Sequence, residues 1–146
     1  MNDNSAKPKN VPLLRRLVII LYDSFLLFAV LFFVSIPVVV LFSITYDSPL
    51  YPLYLFYIYS VGFLYYGWFW THGGQTLAMK TWNARLVSNQ GDVSWLQAAR
   101  RYITAMISWI FLGMGFIWSL FRQDNATWHD LLSSTRLVCL KKPPGL

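Results

Sequence analysis

Arg16, Asp23 and Asp130 are the residues of this chain best placed to do chemistry, because each lies in or beside a long apolar run where a charge is costly. Asp23 is the only charge between Leu17 and Thr45. An ionisable side chain costs about 2.5–3.5 kcal/mol at the centre of a transmembrane helix, so one that stays there needs a partner or a task. The task would be to hold a proton and a cation by turns. The partner would be a basic side chain, in a buried ion pair that fixes helix packing. Arg16 stands seven positions earlier, about 10 Å and two helical turns away on one face. Helical side chains lean towards the amino terminus, so Arg16 reaches away from Asp23 and towards phosphate headgroups. Lys80, Arg100 and Arg101 are therefore the expected cationic partners of Asp23.

Asp130 follows His129, and an imidazole beside a carboxylate has the elements of acid–base catalysis. Neighbours on a helix point about 100° apart, however, and no Ser or Cys nucleophile stands in a recognisable motif. Asp130 is expected to cap a helix or pair with an Arg at the membrane surface, and the chain is not expected to be an enzyme. Gly73 and Gly74 lie in a polar turn, Thr71 to Thr76, which lacks the pattern of a phosphate loop. One cysteine, Cys139, and two histidines offer neither an internal disulfide nor a metal-ligand spacing, so no cofactor or metal is expected.

The elements that must position these residues follow from hydropathy. Hydrophobic residues make up 56% of the chain and charged residues 12%, well below the roughly quarter that soluble domains carry. The twelve basic residues outnumber six aspartates, but they cluster beside apolar runs, which points to lipid headgroups and away from nucleic acid. Leu17 to Thr45 is too long for about 30 Å of hydrocarbon, so this helix must tilt, kink at Pro37 or protrude. A second charge-free run ends at Trp70, with Tyr and Trp near both ends as at headgroup depth. A third, Tyr102 to Phe121, is broken by Gly113, Met114 and Gly115 and is expected to be broken or re-entrant.

Asn83 to Ser88 and Thr135 to Leu140 read as short strands, and pairing them requires both to lie on one side of the membrane. Ser94 reads as the cap of the helix leading into the third run. Basic residues precede the first run and follow the second but are absent between them, which sets the amino terminus inside. The carboxyl terminus is also expected inside if the third run turns back. The expected fold is thus an all-α multi-pass membrane protein: two transmembrane helices, a third Gly-broken or re-entrant segment, and a small cytoplasmic surface element that can include short strands. Residues 1–14 form a disordered basic arm, 15–140 one domain and 141–146 a tail, with no internal repeat.

Several spaced motifs in order resemble the RDD family, which is named for one arginine and two aspartates. They are Arg16 with Asp23, the stretch Gly74-Gln75-Thr76-Leu77-Ala78-Met79-Lys80, Arg85-Leu86-Val87, Gly91-Asp92, Arg100, and His129-Asp130-Leu131-Leu132 with Thr135 and Val138. The resemblance covers Arg15 to Leu140 and makes Arg16, Asp23 and Asp130 the three named residues. Where the family pattern has glycine, this chain has Ala78, Asn83 and Ser134. The resemblance implies a bacterial or archaeal multi-pass protein of the cell (inner) membrane, for which transport, and in some members cation/proton antiport, has been put forward. Two functions follow as expectations. One is a small oligomeric transporter exchanging monovalent cations for protons at Asp23. The other is a non-catalytic accessory or assembly protein packed on another membrane complex and on lipid.

Overall fold

The computed structural model describes residues 10–88, 91–110 and 127–140. The elements are α1 (Leu13–Phe42), α2 (Tyr51–Thr71), α3 (Leu77–Thr81), β1 (Ala84–Ser88), α4 (Trp95–Ile110), α5 (Trp128–Leu132) and β2 (Thr135–Cys139). The fold is mostly helical, and the two expected strands are present, so it is not purely α. The Gly-containing centre of the third apolar run lies outside the described residues.

α1 begins after Pro12, where a missing N–H costs nothing, and runs through an apolar sequence without glycine. It ends at Ser43, whose left-handed backbone turns its N–H onto the carbonyl of Val39. Its 30 residues would span about 45 Å. Among the described residues it is the one helix long and apolar enough to cross a membrane. α2 has 21 residues, but its many tyrosines and two tryptophans make it less apolar than α1. The helices run antiparallel, and the Tyr57 hydroxyl donates to the Val34 carbonyl in the turn before Pro37. Equal rise along the two helices then sets Asp23 level with the turn around Trp68.

α4 lies against α2 at two glycines. A Cβ on Gly62 would stand 2.7 Å from the Tyr102 hydroxyl, and one on Gly67 would stand 2.8 Å from the Trp95 ring. The start of α4 is fixed by a reciprocal cap: the Gln97 N–H donates to the Ser94 hydroxyl, and the Ser94 N–H donates to the Gln97 side chain.

The remaining elements form a cap at one end of α1 and α2. β1 and β2 pair antiparallel, with Leu86 opposite Leu137 at the centre of the register. The amino-terminal segment adds to β2, where the Val11 N–H donates to the Leu137 carbonyl and Asn10 bridges Val138. Residues 10–14, expected within a disordered arm, are therefore part of the fold, and Val11 is wholly buried.

The cap also contains an internal repeat, contrary to the sequence reading. Thr76, α3, two residues and β1 match Thr127, α5, two residues and β2, each with a five-residue helix and a five-residue strand. The strands read Ala-Arg-Leu-Val-Ser and Thr-Arg-Leu-Val-Cys. Asn83 and Ser134 fall at equivalent positions and both are left-handed, with φ of 47° and 54°. Their backbone explains why glycine is expected there. Ahead of each unit stands a helix with an Arg pair near its start, Arg15-Arg16 in α1 and Arg100-Arg101 in α4.

A left-handed L-residue costs about 1–2 kcal/mol. Ser134→Gly is therefore expected to stabilise the fold by about 1 kcal/mol. Gly74→Ala should do the reverse, since Gly74 has φ +70° and a Cβ there would lie 2.4 Å from the Leu86 carbonyl oxygen. Melting temperatures of the two variants in detergent, against wild type, test both signs.

Candidate functional site

Arg16, Ile19 and Asp23 recur on one stripe of α1 and are the residues of that helix that are buried. The stripe faces the cap. Arg16 is held by three acceptors: its Nε donates to the Val11 carbonyl at 2.9 Å, and its Nη1 donates to the Thr127 hydroxyl at 3.4 Å and to Asp130 Oδ2. Arg101, from α4, donates through Nη1 to Asp130 Oδ1 at 2.6 Å and to the Thr135 hydroxyl at 2.9 Å. Asp130 also accepts the backbone N–H of Thr127 at 3.2 Å, which closes the first turn of α5. The residue expected either to cap a helix or to pair with an Arg does both, and it pairs with two.

Asp23 differs from the sequence expectation in its partner. Arg101 is committed to Asp130, and Lys80 and Arg100 are exposed. Asp23 Oδ2 instead accepts from the Thr76 hydroxyl at 2.6 Å, while Thr76 caps α3 by accepting the Met79 N–H. The carboxylate thus sits at the amino end of α3, where unpaired N–H groups favour negative charge. The other oxygen, Oδ1, has no hydrogen-bond partner among the described residues. Ala78, one of the positions where glycine is expected, is buried in this same turn, so close approach is achieved with a methyl group.

Two guanidiniums thus share one carboxylate, and Asp23 lies on the same cavity wall as both of them. Burial pulls the Arg101 guanidinium down from its usual basicity, Asp130 opposes this by charge and hydrogen bond, and Arg16 adds to the lowering. The Arg101 guanidinium also lies 5.5 Å from the Trp70 ring centre. Between α1, α2 and α4 these residues line a partly open cavity of about 170 Å³ whose wall includes Arg16, Asp23, Trp70 and Arg101. No group of His, Cys, Asp or Glu among the described residues could hold a metal ion.

The residues that sequence reasoning missed are Thr76, Thr127, Thr135 and Trp70. The first two carried a readable signal, since each stands before a short helix at the same place in the repeat. Trp70 read only as an interfacial ring. The His129 side chain lies outside the described atoms.

Asp130→Asn leaves two guanidiniums buried with no anion between them, and breaking a buried ion pair in this way costs about 3–5 kcal/mol. The variant is expected to lose that much stability in detergent melting. Arg101→Lys keeps the charge and should lose less. Equal losses from the two would contradict the assignment of Asp130 as the shared anion.

No curated protein and no solved structure matches the chain. The RDD family does match, over residues 11–134, a span that contains α1 through α5 and ends as the chain enters β2. With its buried arginine and its two buried aspartates inside that span, the chain belongs to the RDD family, whose members are membrane proteins.

Proposed function

We propose that this protein is a small multi-pass transporter of the cell (inner) membrane, and not an enzyme, that exchanges a monovalent cation for a proton at Asp23. One observation carries the reading: Asp23 is 2% exposed, is bonded by the Thr76 hydroxyl and approached by the Ala78 backbone N–H, and among the described residues has no cation, while its Oδ1 accepts no hydrogen bond on the wall of a cavity. One carboxylate takes one proton or one monovalent cation, so competition for the site couples the two movements. The level of Asp23 with the Trp68 turn supports a site near one headgroup layer, because tryptophan and tyrosine collect there. The stretch of α1 beyond Asp23, 24–42, then has about 28 Å of length, close to the hydrocarbon thickness, and α2 is the second span.

The arrangement β1–β2 favours amino and carboxyl termini on the cytoplasmic side, since the paired strands belong to both halves of the chain. A reporter fused after Leu146 is expected to be active only when suited to the cytoplasm; activity restricted to the outside would contradict this topology. Three apolar segments give little wall for a path, so a homo-oligomer in contact with membrane lipid is the working form. The accessory reading is favoured by a different observation. Apolar side chains such as Phe25, Phe33, Val40 and Leu41 on α1 are exposed along most of its length, as a helix packing on another membrane protein would present them.

The test is proton movement driven by sodium, lithium or potassium in everted vesicles, with wild type and Asp23→Asn at matched levels. Exchange in wild type that is lost in the variant is the expected result. Absence of exchange with all three cations for wild type would move the assignment to the accessory role.

A further inference from the structure

The cavity at Asp23 holds more than one unused polar group. Asp23 Oδ1, Arg16 Nη2 and Trp70 Nε1 are all buried, all belong to residues on its wall, and all lack a hydrogen-bond partner among the described residues. The three residues are 2%, 2% and 7% exposed. A buried polar atom left unpaired costs about 1–3 kcal/mol, so three beside one void are more readily explained by an occupant than by an empty space.

The geometry points to a bound zwitterion in this cavity, with a primary ammonium on Asp23 and an anionic oxygen on Arg16 and Trp70. A bare monovalent cation could satisfy only the first of the three. Arg16 and Asp23 are two helical turns apart, so an occupant that serves both must be extended and must carry opposite charges at its two ends. A volume of about 170 Å³ compares with the ~150 Å³ that admits benzene, which is room for an aminoethyl unit and its anionic group.

The ammonium must be a hydrogen-bond donor. A quaternary ammonium is recognised by open aromatic faces. Trp70 is stacked by Tyr66, with ring centres 5.3 Å apart, and is also approached by Arg101. Its remaining offer is the indole N–H, a donor for the anionic end. Oδ1 likewise needs a donor, which a quaternary, fully methylated ammonium does not supply. Ala105 and Met106 of α4 complete an apolar wall along the cavity. That wall would suit the acyl side of a phosphoethanolamine lipid, and the same polar ends would suit a free amino-alkyl phosphate. The inference goes beyond cation exchange and does not depend on it.

The purified full-length chain is placed in phosphatidylcholine nanodiscs containing equal fractions of phosphatidylethanolamine and phosphatidylglycerol, and the lipid it retains is read by native mass spectrometry. Phosphatidylethanolamine is expected to be enriched about tenfold over the other two, as a charge-assisted bond of ordinary strength allows. Asp23→Asn and Trp70→Phe should each abolish the enrichment. The second variant removes the N–H while leaving the Asp23–Thr76 bond in place, so it reads the site even if loss of the Asp23 charge disturbs α3. In discs of phosphatidylcholine alone, a rise in melting temperature with free O-phosphoethanolamine, lost in both variants, would assign the soluble source. Absence of both enrichment and shift, or enrichment unchanged in both variants, overturns the proposal. Neither readout involves ion movement, so failure of exchange and failure of binding are separately visible.

Discussion

One carboxylate, Asp130, holds two guanidiniums from different helices, and the arrangement of the cap depends on that sharing. Arg16 comes from α1 and Arg101 from α4, and each uses a different oxygen of Asp130. A buried charge is tolerated only when paired and hydrogen-bonded, so α1, α4 and α5 cannot separate without stranding at least one charge. The hydroxyls of Thr127 and Thr135 and the carbonyl of Val11 take up further donors of the two guanidiniums. These acceptors all belong to the segments that pair as strands or cap α5. The ion cluster and the small sheet are therefore one structural unit, each defining where the other can form.

The internal repeat gives that unit its form. Two helix–turn–strand segments meet about the Leu86–Leu137 pair, and each is preceded by a helix carrying a buried arginine. Seven positions after the buried arginine, one half has Asp23 and the other has Ser108, and both are buried. The halves have diverged where chemistry matters. Asp130 lies in the second short helix, and its counterpart in the first is Met79, a buried apolar residue. The first half instead draws its carboxylate from α1, where Asp23 meets Thr76 at the start of α3. Both short helices thus receive an aspartate near their amino ends, one from within and one from across the fold.

Much of this was legible in the sequence. The two strands, the Ser94 cap, the long apolar helix and the three charged residues all follow from periodicity, capping chemistry and the cost of charge in an apolar run. What stayed hidden was pairing. Arg16 and Asp23 share a helical face, and spacing makes them look like partners, but their side chains are drawn to different elements more than fifty residues away. The sequence distance of such contacts carries no local signal. The repeat was visible in Arg-Leu-Val at two places, yet the helices between differ in every residue, because each short helix was matched to a different neighbour. Proximity of charge along one helix is weak grounds for an ion pair when other helices supply hydroxyls and cations at the same depth.

Asp23 combines a structural and a chemical position in one side chain, and the two cannot be separated by removing it. Its Oδ2 completes the start of α3, and its Oδ1 is left over on the cavity wall. A carboxylate used only to cap a helix would gain nothing from keeping its second oxygen buried and unpaired, since exposure to water would satisfy it at no cost. The groups beside it follow the same pattern, with Arg16 and Trp70 each retaining one donor after their other contacts are made. Unspent capacity at three neighbouring side chains, of both donor and acceptor type, is what distinguishes this cavity from a packing defect. Most of its wall is apolar, from Ile19, Ile20, Ala105 and Met106, but a packing defect would not also carry these three polar groups where the charged cap meets the apolar helix.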